Sequence, residues 1–197
     1  FDKDLPNVSG IAEGLEQYYS LEQETDLYSL NSGRVMAKVG WNDEKDEIVK
    51  LPVTFVIVDN KPHLTTTGVA NLLLRAKKLI IATTNVGHPA KAMSSLDLKV
   101  IEYDQKIDFD DLFKHLKSDE GADRLTIQSG GELNSELIRA GLINYLSIVV
   151  APIIVGGRQT PTLVDGETLV SVQDLEQLKP LELVEAKPLD NSYLHLK

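Results

Sequence analysis

From Leu51 to Asp59 the chain reads LPVTFVIVD, and between Val53 and Val58 only Thr54 interrupts a run of apolar residues. A strand with one wet face alternates apolar and polar residues, whereas a near-continuous β-branched run describes a strand covered on both faces. That arrangement belongs to parallel sheets flanked by helices. The rest of the chain follows suit. TTTGVANLLLRAKK opens on threonines and ends on lysines, as a helix and its dipole prefer. KLIIATTN and LKVIEYD read as two further strands.

Asp108 to Lys117 reads as a helix capped by Asp108, with Asp110 and Asp111 in its first turn and Leu112, Phe113 and Leu116 as its buried stripe. DRLTIQSGG is a strand running into a glycine turn, and ELNSELIRAGL is a helix that stops near Gly141. INYLSIVVAPIIVGG reads as one long apolar strand, and LELVEAKPLDNSYLHLK as a terminal hairpin bending near Pro188, Asp190 and Asn191. Upstream, GLEQYYSLEQETDLYSL carries Leu15, Tyr18, Tyr19 and Leu27 at mixed helical spacing, with the tyrosines expected in a core. Asp43 to Glu47 reads as a solvated loop. The order implies one α/β domain over residues 1–197, with a mainly parallel central sheet and an antiparallel closing element.

Composition narrows the function. With 20 Lys+Arg against 30 Asp+Glu and a net charge of −10, the chain has little material for the basic face of a nucleic-acid binder. An anionic nucleotide would have to be met by backbone amides and a few local cations. The absence of cysteine excludes disulfides, thiolate metal sites and a cysteine nucleophile, and fits a cytoplasmic address. No apolar run approaches the roughly 20 residues of a membrane span. His63, His88, His115 and His195 show no metal-ligand spacing, and none is assigned a catalytic role. No serine sits in a nucleophile elbow, so hydrolase chemistry lacks support.

The segment best suited to chemistry is LTIQSGGELNSELIRAGL. A strand ends, Gly130 and Gly131 permit unusual backbone angles, and a helix begins at once. Its first N–H groups carry positive partial charge, and glycines let a phosphate approach them without a Cβ in the way. The same pair also serves as a plain tight turn, so the local motif leaves both readings open.

LTIQSGGELNSELIRAGLINYLSIVVAPIIVGG resembles the signature of the dihydrofolate-reductase-like superfamily, nearest the reductase domain of the bifunctional riboflavin-biosynthesis deaminase-reductase. FVIVDN upstream and NSYLHLK at the end extend the likeness from about Asp26 onward. The resemblance implies a three-layer dihydrofolate-reductase-like fold with an antiparallel C-terminal strand, binding NADPH and delivering hydride to a small heterocycle or carbonyl. By position it places Ser129, Gly130, Gly131, Glu132, Leu133 and Asn134 around the cofactor. SGRVMAKVG is similar to the family's second cofactor loop, which puts Gly33 and Arg34 near phosphates, with Met36 where a threonine is expected. Asn60 stands at the position of a serine on the adenosine side. Lys61 adds charge for a 2′-phosphate, and Thr83 and Thr84 lie at the next strand end.

Gln128 replaces a glutamate that contacts substrate in the riboflavin-pathway enzymes. The arginine expected to pair with the substrate phosphate is missing from LEQETDLYSL, which is acidic. The family's opening strand with its SLDGK-like motif has no counterpart, so the chain is expected either to start downstream of it or to have a reduced substrate pocket. The riboflavin precursor is accordingly not the expected substrate. The competing expectation is a non-catalytic nucleotide-binding or regulatory module that kept only the cofactor half. The resemblance and the long apolar run also imply a homodimer.

Overall fold

The computed structural model describes residues 5–197, and the side chains from Pro6 onward. Its contacts divide into two compact units, one of residues 25–133 and one of the N-terminal residues to Glu24 together with 134–197.

The first unit is built on five parallel strands in the order β4-β3-β2-β1-β5. They are β1 (Tyr28–Ser32), β2 (Thr54–Val58), β3 (Lys78–Thr83), β4 (Leu98–Glu102) and β5 (Thr126–Gln128). In β2 and β3, neighbouring residues are buried in succession: Val56, Ile57, Leu79, Ile80 and Ile81 are all fully shielded. This is the double-faced burial that the apolar runs imply. One face packs Ile57, Leu79 and Ile81 with Val69 and Leu72 of helix α3 (Thr66–Arg75) and with Met36. Register aligns Leu30, Val56 and Ile80 on the opposite face.

Helix α4 (Phe109–Glu120) is capped as expected. The Asp108 carboxylate accepts from the Asp111 N–H at 3.0 Å, and Leu112 and Leu116 are buried. The helix runs three residues beyond Lys117 and stops at Gly121, whose φ of 74° closes its C-terminus. At that end Glu120 joins α4 to the sheet. It accepts from Lys78 at 2.6 Å and Lys99 at 3.1 Å, while its carbonyl takes the Tyr28 hydroxyl. Asp43–Glu47 lies exposed in a loop, as expected.

Strand β1 corrects the sequence reading. The helical spacing ends with α1 (Leu15–Gln23), and YSLNS becomes a strand held between β2 and β5. Its inner polar residues hide it from any hydrophobic period. Ser29 and Asn31 share one face, both buried, and satisfy each other through Asn31 Nδ2 donating to Ser29 Oγ at 3.0 Å. Tyr18 and Tyr19 are exposed on α1, not in a core.

The second unit carries a three-stranded antiparallel sheet, order β6-β8-β7, from β6 (Ile148–Val150), β7 (Ala186–Pro188) and β8 (Leu194–Leu196). The terminal hairpin and its bend are as read, with Asn191 and Ser192 at positive φ. The long strand expected over 143–157 shrinks to the three residues of β6, because the chain turns away at Pro152 and Ile154 is fully exposed. His195 is buried and meets Ser147 Oγ through Nε2 at 2.7 Å.

Candidate functional site

The strand order fixes where a ligand can gather. From β1 the chain adds β2, β3 and β4 on one side and then returns to lay β5 on the other. The reversal falls between β1 and β5. Open parallel sheets bind ligands outside the C-terminal ends of their strands at such a point. Register sets the strand ends level: Ser32 pairs with Val58, Val58 with Ala82, and Asn31 with Gln128.

Most of the sequence-derived site residues therefore share one edge. Gly33 and Arg34 open helix α2 (Gly33–Lys38) directly after β1, Asn60 and Lys61 follow β2, and Thr83 ends β3. Gln128 ends β5, and Ser129, Gly130, Gly131, Glu132 and Leu133 lead into helix α5 (Gly131–Arg139). Asn134 groups with the other unit, where its Nδ2 donates to the Leu163 carbonyl at 3.0 Å.

Three assignments change in physical meaning. Gly130 and Gly131 are not among the residues with positive φ, so their backbone angles do not demand glycine. At Gly130 an added Cβ would meet no atom within 4 Å. Its bare backbone leaves room for a ligand and fills no internal need. Gly33 is the opposite case. A Cβ there would lie 2.3 Å from Asp59 Cγ, so this glycine serves the close approach of β1's end to Asp59. Thr83 is fully buried, and its hydroxyl donates to the Asp59 carbonyl at 2.7 Å and accepts from Asn85 N–H at 3.0 Å. It latches the ends of β2 and β3 and has no hydroxyl to offer a ligand. Met36, standing where a threonine is expected, belongs to the core. Asn60 accepts from the Thr84 N–H through Oδ1 at 3.1 Å and remains exposed.

Sequence reasoning missed the centre of this edge. The Asp59 carboxylate is buried and takes four donors: His63 N–H at 3.1 Å, His63 Nδ1 at 2.9 Å, Leu64 N–H at 3.0 Å and His88 Nε2 at 3.2 Å. Burial pushes its pKa upward, but the hydrogen bonds from His88, Leu64 and His63 outweigh that and hold it below the ordinary carboxylate value. Asp59 is an anion. The only signal for it was an aspartate four residues before a histidine at a strand end, and a strand-terminal Asp has many purely structural uses. No group of side chains suited to a metal ion occurs among the described residues.

Together, fold and edge define an open α/β domain whose candidate site lies at the C-terminal ends of its parallel strands. The chain belongs to the RibD C-terminal domain family, whose model matches residues 33–194. It is similar to the 2,5-diamino-6-ribosylamino-4(3H)-pyrimidinone 5′-phosphate reductase of Aquifex aeolicus, at 27% identity over 151 residues covering 72% of this chain and 67% of that protein. The protein of the same name from Methanothermobacter thermautotrophicus is 39% identical over 59 residues, 30% of this chain and 27% of its own length. The match thus spans between about a quarter and two thirds of these curated relatives. Among solved structures, Acinetobacter baumannii RibD superposes with a TM-score of 0.62 at 16% identity, covering 86% of this chain and 45% of that one. Saccharomyces cerevisiae riboflavin biosynthesis reductase Rib7 gives 0.58 at 17% identity, with 92% and 78% covered. These likenesses show the expected fold, with its parallel central sheet and antiparallel C-terminal strands. No helix among the described residues is long and apolar enough to cross a membrane.

Proposed function

We propose that this chain is a reductase that binds NADPH along the C-terminal edge of its parallel sheet and reduces a small heterocyclic substrate. The observation that carries the reading is the pair of strand-to-helix junctions flanking the topological reversal, Ser32-Gly33-Arg34 at the end of β1 and Ser129-Gly130-Gly131 after β5. At Gly130 the backbone is open to a diphosphate, and α5 begins at the next residue with N–H groups to meet it. A reduced nicotinamide supplies the hydride when bound, which leaves the protein the tasks of holding and orienting. Arg34 and Lys61 are the local cations, Asn60 keeps an amide for the adenosine side, and Gln128 is placed to hydrogen-bond substrate. Glu132 and Leu133 line the start of α5.

The relatives' name makes the ribosylaminopyrimidinone phosphate the first compound to assay. The acidic segment from Leu21 to Leu30 holds no arginine for its phosphate, so slow turnover is expected there. Faster reduction is expected with another heterocycle in a panel of pterins and pyrimidines. The test of the cofactor site is calorimetric titration with NADPH on wild type and Gly130→Asp. Space and backbone angle at Gly130 tolerate a side chain, so the variant folds while placing a carboxylate against phosphate. An affinity loss of about 3 kcal/mol, roughly 100-fold or more, is expected. Gly156→Asp is the control, an equally open glycine in the other unit. Millimolar binding by wild type, or unchanged binding by Gly130→Asp, would hand the chain to the non-catalytic reading.

The chain is also proposed to act as a homodimer, at a cytoplasmic address. Ile153, Ile154 and Val155 follow β6 with their side chains exposed, and a stable interface needs at least about 1,000 Å².

A further inference from the structure

We infer that Asp59 is a positioning residue of the reductase: its one buried carboxylate joins the loops after β2 and β3 and orders them before a ligand arrives. This role rests on the cofactor reading above and requires no contact between Asp59 and the ligand.

The chain between β2 and α3 shows why such a residue is needed. Residues 60–65 link the two elements without helix or strand, yet they carry Asn60 and Lys61 at the site. A loop with no ladder of its own must be ordered when a ligand binds, at a cost in affinity, unless side chains have ordered it already. Asp59 supplies the acceptors for that. Its Oδ1 takes the His63 N–H and Nδ1, and its Oδ2 takes the Leu64 N–H. The Leu64 side chain is buried in the core beside them, which fixes the loop from below.

The loop after β3 depends on the same carboxylate. His88 is completely buried and meets Oδ2 through Nε2 at 3.2 Å. Its Nδ1 accepts from the Ala90 N–H at 3.1 Å and so carries no proton, which puts the ring proton on Nε2, facing Asp59. Only a carboxylate suits this place. An amide has a single acceptor oxygen, and with that turned toward His63 its NH2 would face the Leu64 N–H and the His88 Nε2–H. The Ala90 N–H keeps His88 from changing tautomer to relieve the clash. On a third side lies Gly33, the first residue of α2, whose missing Cβ lets the chain pass the carboxylate.

One group, wholly shielded from solvent, thus holds three elements of the edge. A further tie between the two loops, from the Thr84 N–H to Asn60 Oδ1, lies exposed, where water competes for it. The buried tie is the one that persists.

The full chain is titrated calorimetrically with NADPH as wild type, His88→Leu, His88→Gln, Asp59→Asn and Ile80→Ala, each at a temperature where circular dichroism shows it folded. Amide exchange is followed by NMR in parallel. His88→Leu removes the donor to Asp59, whereas His88→Gln keeps an N–H in its place. His88→Leu should weaken NADPH by about tenfold, His88→Gln should recover most of that, and Asp59→Asn should lose at least as much as His88→Leu. Ile80→Ala, destabilised within the sheet, should bind within about twofold of wild type. In His88→Leu the amides of His63 and Leu64, on the far side of the carboxylate, should exchange faster together with those of the loop after β3. Four results overturn the inference while leaving dinucleotide binding standing: unchanged affinity in folded His88→Leu, equal losses in the two His88 variants, an equal loss in Ile80→Ala, or faster exchange confined to the loop after β3. Failure of wild type to bind NADPH overturns the cofactor reading and the positioning role with it. Wild type alone gives a check that needs no variant. Its His63 and Leu64 amides, although in a loop, should exchange slower than an unfolded chain by on the order of 100-fold or more, and free exchange there also overturns the inference.

Discussion

The two compact units spend their apolar residues in opposite ways. In residues 25–133, β2 and β3 bury Val56, Ile57, Leu79, Ile80 and Ile81 without remainder. In residues 134–197, Ile154, Val170, Val172, Leu181 and Val184 all stand mostly in solvent. Similar residue types thus do different work. The first set is enclosed by parallel pairing and helices on the sheet. The second decorates a long stretch after β6 whose regular structure is one short 3-10 turn, Gln173–Gln177, before β7. Exposed single apolar residues are ordinary on any surface, and contiguous patches of them are the kind that mark interaction sites.

The sharpest way to break this contrast is to cut equal volumes from each side. Ile80→Ala removes a fully shielded side chain flanked by β2 and β4 and should cost about 2–5 kcal/mol in chemical denaturation. A cost under about 1 kcal/mol would mean the sheet is much looser than its burial indicates.

Gly33→Ala probes the same unit by addition. Its Cβ would fall 2.3 Å from Asp59 Cγ, and relief requires moving a carboxylate that has four donors. Overpacking of this kind costs about 1–3 kcal/mol, and the melting temperature reads it. The same carboxylate sets an acid limb. Because its folded pKa is lowered, Asp59 contributes stability above its unfolded value, near pH 4, and loses it as pH falls through the folded value. Asp59→Asn should flatten the stability profile below about pH 4. An unchanged acid limb would place the sensitivity elsewhere, for example on Glu120, whose pKa is lowered by Lys78 and Lys99 against the upward pull of burial.

How much of this was legible follows the same divide. β2, β3 and α4 announced themselves because double-faced burial and an Asp cap leave strong local marks. β1 did not, since its buried residues include Ser29 and Asn31, a self-satisfied polar pair that imitates a loop. The glycine turn after β5 lies between strand and helix as read, but its backbone angles do not demand glycine. Asp59 and its two histidines went unread because 29 residues separate Asp59 from His88 and only the fold joins them. The long strand over 143–157 failed because apolar content alone does not specify pairing, and most of it found no partner strand.

Smaller than these is the cap of α4. Asp108→Ala removes the acceptor for the Asp111 N–H and should cost about 0.5–2 kcal/mol, most visibly as faster amide exchange in the first turn. Exchange unchanged at Asp111 would show that water replaces the cap without loss.

The smallest expected effect is the most informative about the other unit. Leu181 is 71% exposed, so Leu181→Ser in an isolated chain removes almost no burial and should change stability by no more than about 0.5 kcal/mol. If a second copy covers this stretch, the result must depend on concentration, because association stabilises the folded state by mass action. Wild type would then melt higher at high micromolar than at low micromolar concentration, while Leu181→Ser would lose part of that increment and show a larger monomer fraction in light scattering. The Ile80→Ala loss should persist at both concentrations, since its site lies within the sheet of one chain. A wild-type melting temperature independent of concentration, with a monomer mass throughout, removes the homodimer. The apolar stretch would then be plain surface, and the contrast between the two units would be one of stability alone.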